Sequence, residues 1–330
     1  MRIIDVHAHC LSGTASAAQV AASLTGLHDE GLEALLLIMA PVLDMSTKEL
    51  ADMYPPEAQD ISQISLEFEL PFGQEVMDHL QDPTFIRPLL ALQTYLPLLM
   101  AGGDLDDCMA RVDEELRVPL AGLKVHYFGT QIGPSLLSTM YGSAAAWDQD
   151  RFDEFMHGYV DLAAVRGLPV VVHVDLREAY DGFVDLVRSH PSVPVCLCHF
   201  GYSRRLCSMV LEELPDLVVD MSGIELHRSM WERLDAYRSF ITEHAERVLF
   251  GSDQYIGAPD RLRRSWDLVD ALELPEHVEE RLRWRNASRF LQGREAASPA
   301  GPRSATTDGS PAGPSDPAPV ERGRSPDENG

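Results

Sequence analysis

The sequence has few basic residues and no long apolar run. Its 330 residues include 27 lysines and arginines against 52 aspartates and glutamates, so the formal net charge is −25. A surface this acidic repels nucleic-acid phosphates and anionic membranes, and we therefore expect neither as a partner. No segment approaches the roughly 18 consecutive apolar residues that a membrane-spanning helix needs.

Cysteine is also scarce, and its number is odd. The five cysteines fall at irregular spacing, which excludes a disulfide framework, at positions Cys10, Cys108, Cys196, Cys198 and Cys207. At the N-terminus, Asp5 and His7 stand where a signal peptide would have its apolar region. We therefore expect a cytoplasmic protein with reduced thiols.

The composition changes after residue 293. Residues 294–330 include seven prolines and five glycines, and Val320 is their only large aliphatic or aromatic residue. Such a segment cannot bury enough apolar surface to offset the entropy lost on ordering. The sequence therefore predicts one folded domain over residues 1–293 and a disordered Pro/Gly/Ala/Ser-rich tail over residues 294–330.

Short apolar runs alternate with segments of helical period through the predicted domain. Eight βα units in a domain of this length are typical of a (β/α)8 TIM barrel, with an open doubly wound sheet as the alternative. The eight strands are predicted at residues 3–9, 35–40, 85–93, 120–126, 169–173, 194–199, 217–221 and 248–251. The main helices are predicted at residues 15–30, 105–116, 151–166, 178–189, 204–214, 230–243, 260–272 and 276–291.

Polar side chains stand at the carboxyl ends of several predicted strands. On strand one, alternation places His7 and His9 on one face and turns Ile4, Val6 and Ala8 toward the helices. In a barrel these strand ends form one ring, which gathers His7, His9, Lys124, His173, His199 and Asp253. Nitrogen ligands with one carboxylate suit Zn²⁺, or another first-row divalent ion such as Mn²⁺.

Three further expectations concern side chains near this ring. Lys124 lies inside an apolar strand, so it either packs there with its charge satisfied, contacts substrate, or ligates a metal after carbamylation. If His199 faces inward on strand six, Cys196 and Cys198 face the helices and pack there. The predicted substrate contacts, besides Lys124, are His126, Gln254 and Tyr255.

The chain resembles the amidohydrolase superfamily, and within it the amidohydrolase-related group that includes enzymes close to aminocarboxymuconate-semialdehyde decarboxylase. The similarity covers about residues 1–292 and is specific for fold and metal rather than for substrate. The motifs that carry it are Asp5-Val6-His7-Ala8-His9, Gly122-Leu123-Lys124, His173, His199-Phe200-Gly201, Phe250-Gly251-Ser252-Asp253 and Asn286-Ala287-Ser288-Arg289-Phe290.

The resemblance implies a role for each residue of the ring. His7, His9, His173 and Asp253 would hold one divalent ion, and Asp253 would also shuttle a proton. His199 would act as a base beside a metal-activated water, or would bind a second ion. In two-metal relatives a carbamylated lysine on strand four bridges the ions, which is the position of Lys124.

Three functions remain open at this point. The favoured one is a hydrolase in which a metal-activated water attacks the amide, lactone or ester carbonyl of a small organic substrate. A non-oxidative decarboxylase would use the same ligands but needs a cation for the substrate carboxylate. The supply of cations is small: Lys124 in strand four, Arg177 after strand five, and Arg204 and Arg205 after strand six. The third is a metal-binding barrel without catalysis. The segment after strand two has Leu66, Phe68, Leu70 and Phe72 at alternate positions, which would suit a lid or a dimer surface, so a homodimer also remains open.

Overall fold

The computed structural model describes residues 2–9, 22, 25–39, 87–92, 110, 121–127, 149–255 and 259–292. The helix predicted at residues 105–116, most of the helix predicted at residues 15–30, and the predicted tail lie outside the described residues. In the part of the chain that is described, no helix is long and apolar enough to cross a membrane.

The strands form one parallel sheet in which sequence neighbours lie side by side, from β8 through β1 to β9. The sheet closes because β1 also pairs with β9, and because the Val6 amide donates to the Phe250 carbonyl at 3.1 Å, just after β8. The predicted barrel is confirmed, with its eighth position divided into β8 and β9. The strands are β1 Ile3–His9, β2 Leu32–Met39, β3 Arg87–Leu92, β4 Gly122–Tyr127, β5 Val170–Val174, β6 Val195–Leu197, β7 Val218–Asp220, β8 Val248–Leu249 and β9 Gln254–Tyr255.

Helices follow the strands as a parallel sheet requires. The helix predicted at residues 230–243 is in fact two helices, because Arg233 leaves the helical region with φ of −142°. The helices are α1 Gln149–Arg166, α2 Leu176–Ser189, α3 Arg204–Glu213, α4 Ile224–Glu232, α5 Leu234–Glu243, α6 Pro259–Ala271, α7 Glu276–Glu280 and α8 Asn286–Leu291, with a π-helical turn Arg281–Arg285 between the last two.

Alternate strand residues feed two apolar clusters. Val170 and Val172 of β5 pack outward against helix residues such as Phe155 and Phe183. Val171, between them, faces the barrel interior. That interior cluster comprises Ile4, Val6, Leu36, Ile38, Val171, Cys196, Cys198, Leu249, Ala287 and Phe290. Burial on both faces explains why the strands read as continuous apolar runs.

The prediction that Ile4 and Val6 face the helices is wrong, since both belong to the interior cluster. The register of β1 against β2 shifts between Asp5 and Ala8, so strict alternation fails in this stretch. Ala8 does pack on the helix side as predicted. The irregularity lets Val6 and His7 both turn inward, which strict alternation would not allow.

The prediction that Cys196 and Cys198 face the helices is also wrong. Strand β6 ends at Leu197, and the outward side chains are Val195 and Leu197, while the two cysteines face the interior. A left-handed turn follows, in which His199 has φ of 55° and Gly201 has φ of 56°. This turn brings His199 inward directly after an inward Cys198, which strand geometry would not do.

Gly201 is required by the turn. A Cβ at Gly201 would stand 2.5 Å from Leu176 Cδ1, and the positive φ would strain any other residue. His199, Phe200 and Tyr202 adopt positive φ without that freedom. Such clustered strain is typical of functional sites.

Candidate metal centre

Three predicted ligands meet at the seam where the barrel closes. His7 and His9 lie near the end of β1, and Asp253 lies between β8 and β9 with φ of 56°. The Asp253 backbone N–H donates to the His7 carbonyl at 2.7 Å, which holds Asp253 next to β1. The Asp253 Oδ1 atom lies 2.9 Å from His9 Nε2 and 3.3 Å from His7 Nε2. One ligand atom from each residue falls within 4.8 Å of the others, so the donor set suits a divalent ion.

Asp220, at the end of β7, fixes the orientation of His7. Its Oδ2 atom lies 3.0 Å from His7 Nδ1, and both side chains are fully buried. Burial opposes ionisation of Asp220, but the charges and hydrogen bonds of His7, His199 and Ser222 outweigh it and lower the pKa of Asp220. An ionised Asp220 accepts the His7 Nδ1–H, and the lone pair of Nε2 then faces Asp253.

The same carboxylate holds the second site histidine. Asp220 Oδ1 accepts the backbone N–H of His199 at 2.9 Å and that of Ser222 at 3.0 Å.

Burial, and then the charge of Lys124, lower the pKa of His7 to about 3, so His7 is neutral at physiological pH. Sequence reasoning missed Asp220, although it ends the apolar run Val218-Val219-Asp220 as the predicted ligands end theirs.

His199 and His173 form a directed chain of hydrogen bonds. His199 Nδ1 lies 3.0 Å from the Ser222 carbonyl, which can only accept, so His199 carries its proton there. His199 Nε2 then accepts from His173 Nδ1 at 3.2 Å, and His173 Nε2 accepts from the Tyr202 hydroxyl at 3.2 Å. Burial, with the neighbouring charges of His126 and His199, lowers the pKa of His173 well below its usual value. The predicted role of His173 as a metal ligand stays a prediction.

Lys124 lies inside the barrel, only 1% exposed. Its Nζ atom donates to Cys198 Sγ at 2.9 Å and lies 3.3 Å from His7 Nε2. Burial raises the pKa of the Cys198 thiol well above its usual value. The predicted roles of Lys124 in substrate contact and after carbamylation stay predictions.

The other predicted substrate contacts lie at the same end of the barrel. The His126 ring is 4.7 Å from the His173 ring, and burial and Lys124 lower the pKa of His126 well below its usual value. Gln254 is buried, and its amide donates to the Ser252 carbonyl at 3.2 Å. Tyr255 lies in β9, and its side chain lies outside the described residues.

The electrostatics of Asp253 match a ligand that also handles protons. Burial disfavours its charge, but the hydrogen bond from His9 and the charges of His7 and His199 outweigh this and hold the pKa of Asp253 well below its usual value. A parallel barrel with histidines and ionised carboxylates at the strand ends is suited to hold a divalent metal ion at its active-site end.

A comparison of sequences assigns the chain to a family. A sequence model of the amidohydrolase family matches residues 110–293, more than half of the chain. The chain therefore belongs to the amidohydrolase family, which places it among the metal-dependent hydrolases. No curated protein is significantly similar to it in sequence.

Solved structures share the fold at low sequence identity. The phosphotriesterase homology protein of Escherichia coli, solved with phosphate in its active site, superposes with a TM-score of 0.58 at 12% identity over 88% of this chain and 99% of that chain. A Xaa-Pro dipeptidase with bound methionine in its active site gives a TM-score of 0.50 at 12% identity, over 88% of this chain and 75% of that chain.

Proposed function

We propose that the protein hydrolyses the amide, lactone or ester carbonyl of a small organic substrate with one bound divalent ion, Zn²⁺ or, second, Mn²⁺. The observation that carries the proposal is the meeting of His7, His9 and Asp253, with Asp220 setting the tautomer of His7. Two imidazoles and a carboxylate are ligands that zinc takes in catalytic sites. His173 is the fourth proposed ligand.

A divalent ion held here would polarise the carbonyl and lower the pKa of a water molecule toward about 7. Asp253 is ionised, and its Oδ1 faces His7 and His9, so we assign Oδ2 to take the proton of the attacking water and pass it to the leaving group. His199 holds its proton on Nδ1 against the Ser222 carbonyl, and its Nε2 accepts from His173 Nδ1. Once His173 turns to bind the ion, His199 Nε2 would be released to act as a base.

The neighbouring cations favour hydrolysis over decarboxylation. A decarboxylase needs a cation for the substrate carboxylate. Arg177 instead donates to Asp175 at 2.8 Å, and the Arg204 guanidinium lies over the Tyr237 ring at 4.5 Å. Lys124 is turned into the barrel toward Cys198, and Arg205 is an exposed side chain on α3.

Metal content tests the site. Protein purified without chelator should hold about one ion per chain, and the double variant His7→Ala, His9→Ala should lose it. The matched control is His277→Ala, which removes an exposed histidine on α7 and should keep the ion. Full metal retention by the double variant would contradict the site.

Turnover tests the reaction. The metal-loaded protein should hydrolyse members of a panel of small amides, lactones and esters, and the double variant should not. Release of CO₂ from carboxylic acids without any hydrolysis would replace the proposal with the decarboxylase. A metal-loaded protein that turns over neither class would be a binding barrel.

A further inference from the structure

We propose that the ion has a second, inner position, built from His7, Cys198 and His199, in which a thiolate sulfur is a ligand. The ion would take the place of the Cys198 thiol proton, which is released to solvent when the metal binds. This inference rests on the proposed function, because the inner position shares His7 with the outer position at His9 and Asp253. His7 Nδ1 is engaged by Asp220, so Nε2 must serve both positions. They therefore hold one ion at a time.

The three donors are buried and close together. His7, Cys198 and His199 are at most 3% exposed, and one ligand atom from each lies within 4.8 Å of the others. Cysteine and histidine together are typical zinc ligands. Zn–S and Zn–N bonds placed in line span about 4.4 Å, so closing on an ion requires only small side-chain movements. The left-handed turn after β6 makes the cluster possible, because it turns two consecutive residues inward.

A cationic group already touches two of the donors. The Lys124 ammonium donates to Cys198 Sγ at 2.9 Å and lies 3.3 Å from His7 Nε2. The sulfur and the imidazole nitrogen therefore both present lone pairs to one point. An ion at the inner position would displace this ammonium, and Lys124 would compete with the metal rather than help to bind it. At His199 the ligand would be Nε2, so the ion would also replace the hydrogen bond from His173 Nδ1.

Asp220 supports the inner position electrostatically. It accepts from His7 Nδ1 with one oxygen and from the His199 backbone N–H with the other, so one anion orients the His7 imidazole and anchors the backbone that carries His199. Thiolate ligation selects soft ions such as zinc over magnesium or manganese. The inner position should therefore discriminate between metals more strongly than the outer one.

Cobalt substitution tests the sulfur ligand directly, since Co²⁺ bound to a thiolate gives a near-ultraviolet charge-transfer band. The full-length protein loaded with Co²⁺ should show this band, and Cys198→Ser should lose it while remaining folded by circular dichroism. The matched control is Cys196→Ser, which changes a buried interior thiol two residues earlier on β6 and should keep the band.

Two further variants separate the positions. His9→Ala removes a ligand of the outer position only, so cobalt should stay bound and the band should grow. Lys124→Met removes the competing ammonium and should tighten cobalt binding about tenfold or more. If Lys124 instead ligates the ion after carbamylation, the same variant would weaken binding, and the inference would be overturned.

The outcomes also separate the inference from the proposed function. Cobalt bound by the wild-type protein with no thiolate band would overturn the inner position and leave the outer one intact. A folded protein that binds no cobalt would overturn both.

Discussion

Asp5 offers a measurable test of the electrostatics beneath the candidate metal site. It is fully buried in β1, and its Oδ1 accepts the backbone N–H groups of His7 at 2.9 Å and Ser252 at 3.1 Å. Its Oδ2 has no hydrogen-bond partner among the described residues. Burial raises the pKa of Asp5 from 3.8 to about 7. Asp5→Asn keeps one acceptor oxygen and removes the titration.

The expected effect has a definite sign. Between about pH 4 and pH 7 the unfolded chain releases the Asp5 proton while the folded chain keeps it, so rising pH lowers the free energy of unfolding. The full difference between the pKa of Asp5 in the unfolded and in the folded chain corresponds to roughly 4 kcal/mol in the free energy of unfolding. Relative to wild type, Asp5→Asn should be nearly neutral near pH 4 and should gain stability as the pH rises, up to that limit above pH 7.

Urea unfolding of metal-free protein at several pH values measures this difference. The burial of neutral His7 also destabilises the protein at acid pH, but it acts on both proteins and cancels in the comparison. Asp235→Asn, which changes an exposed side chain at the start of α5, is the control and should show no comparable trend. A stability difference that is independent of pH, or one that favours wild type above pH 7, would refute the reasoning.

Three further perturbations follow from the same geometry. Asp220→Asn can place an N–H against His7 Nδ1 and so reverse the tautomer of that ring. The affinity for the metal, measured by calorimetry, should then fall about 10- to 100-fold. An unchanged affinity would show that Asp220 does not orient His7. Gly201→Ala places a Cβ against Leu176 at a residue of positive φ, so the free energy of unfolding, measured with denaturant, should fall by at least ~1–2 kcal/mol. Equal stability of the variant and the wild type would argue against the left-handed turn. Zinc at about 100 times its Kd should stabilise the protein by roughly 2.7 kcal/mol over chelated protein, and the His7→Ala variant should lose this gain.

The sequence predicted the barrel because its signals are local and repeated. Strand β1 has the predicted bounds Ile3–His9, and the predicted order of strands and helices is seen where the structure describes it, apart from β9 and the division of the helix predicted at residues 230–243. Apolar runs buried on both faces, each followed by a helix, leave few alternatives to parallel pairing.

The errors arose where the backbone departs from regular geometry. The predicted orientation of Cys196 and Cys198 depends on strand alternation extending to His199, but His199 has already left the strand with φ of 55°. Nothing in residues such as His199, Phe200 or Tyr202 signals positive φ, and only Gly201 hints at it. Strand alternation therefore holds through Cys198 and fails at His199.

Asp220 was missed for a different reason. Its position at the end of β7 is as visible in the sequence as that of Asp253 after β8. Its partners, however, are His7 on β1 and His199 after β6, and such contacts depend on how deeply each side chain sits within the ring. Spacing along the chain carries no information on that depth.

The seam between β1 and β9 links metal binding to the order in which the chain is made. His9 and Asp253 are 244 residues apart, so a nascent chain carries both histidines of the outer position long before their carboxylate exists. The Asp253 backbone also donates to the His7 carbonyl, so docking of the last strand and completion of the ligand set are the same event. An ion that binds only the completed ligand set would stabilise the pairing of β1 with β9. Metal retention would thus report that the chain has been made through Asp253 and that β9 has paired with β1.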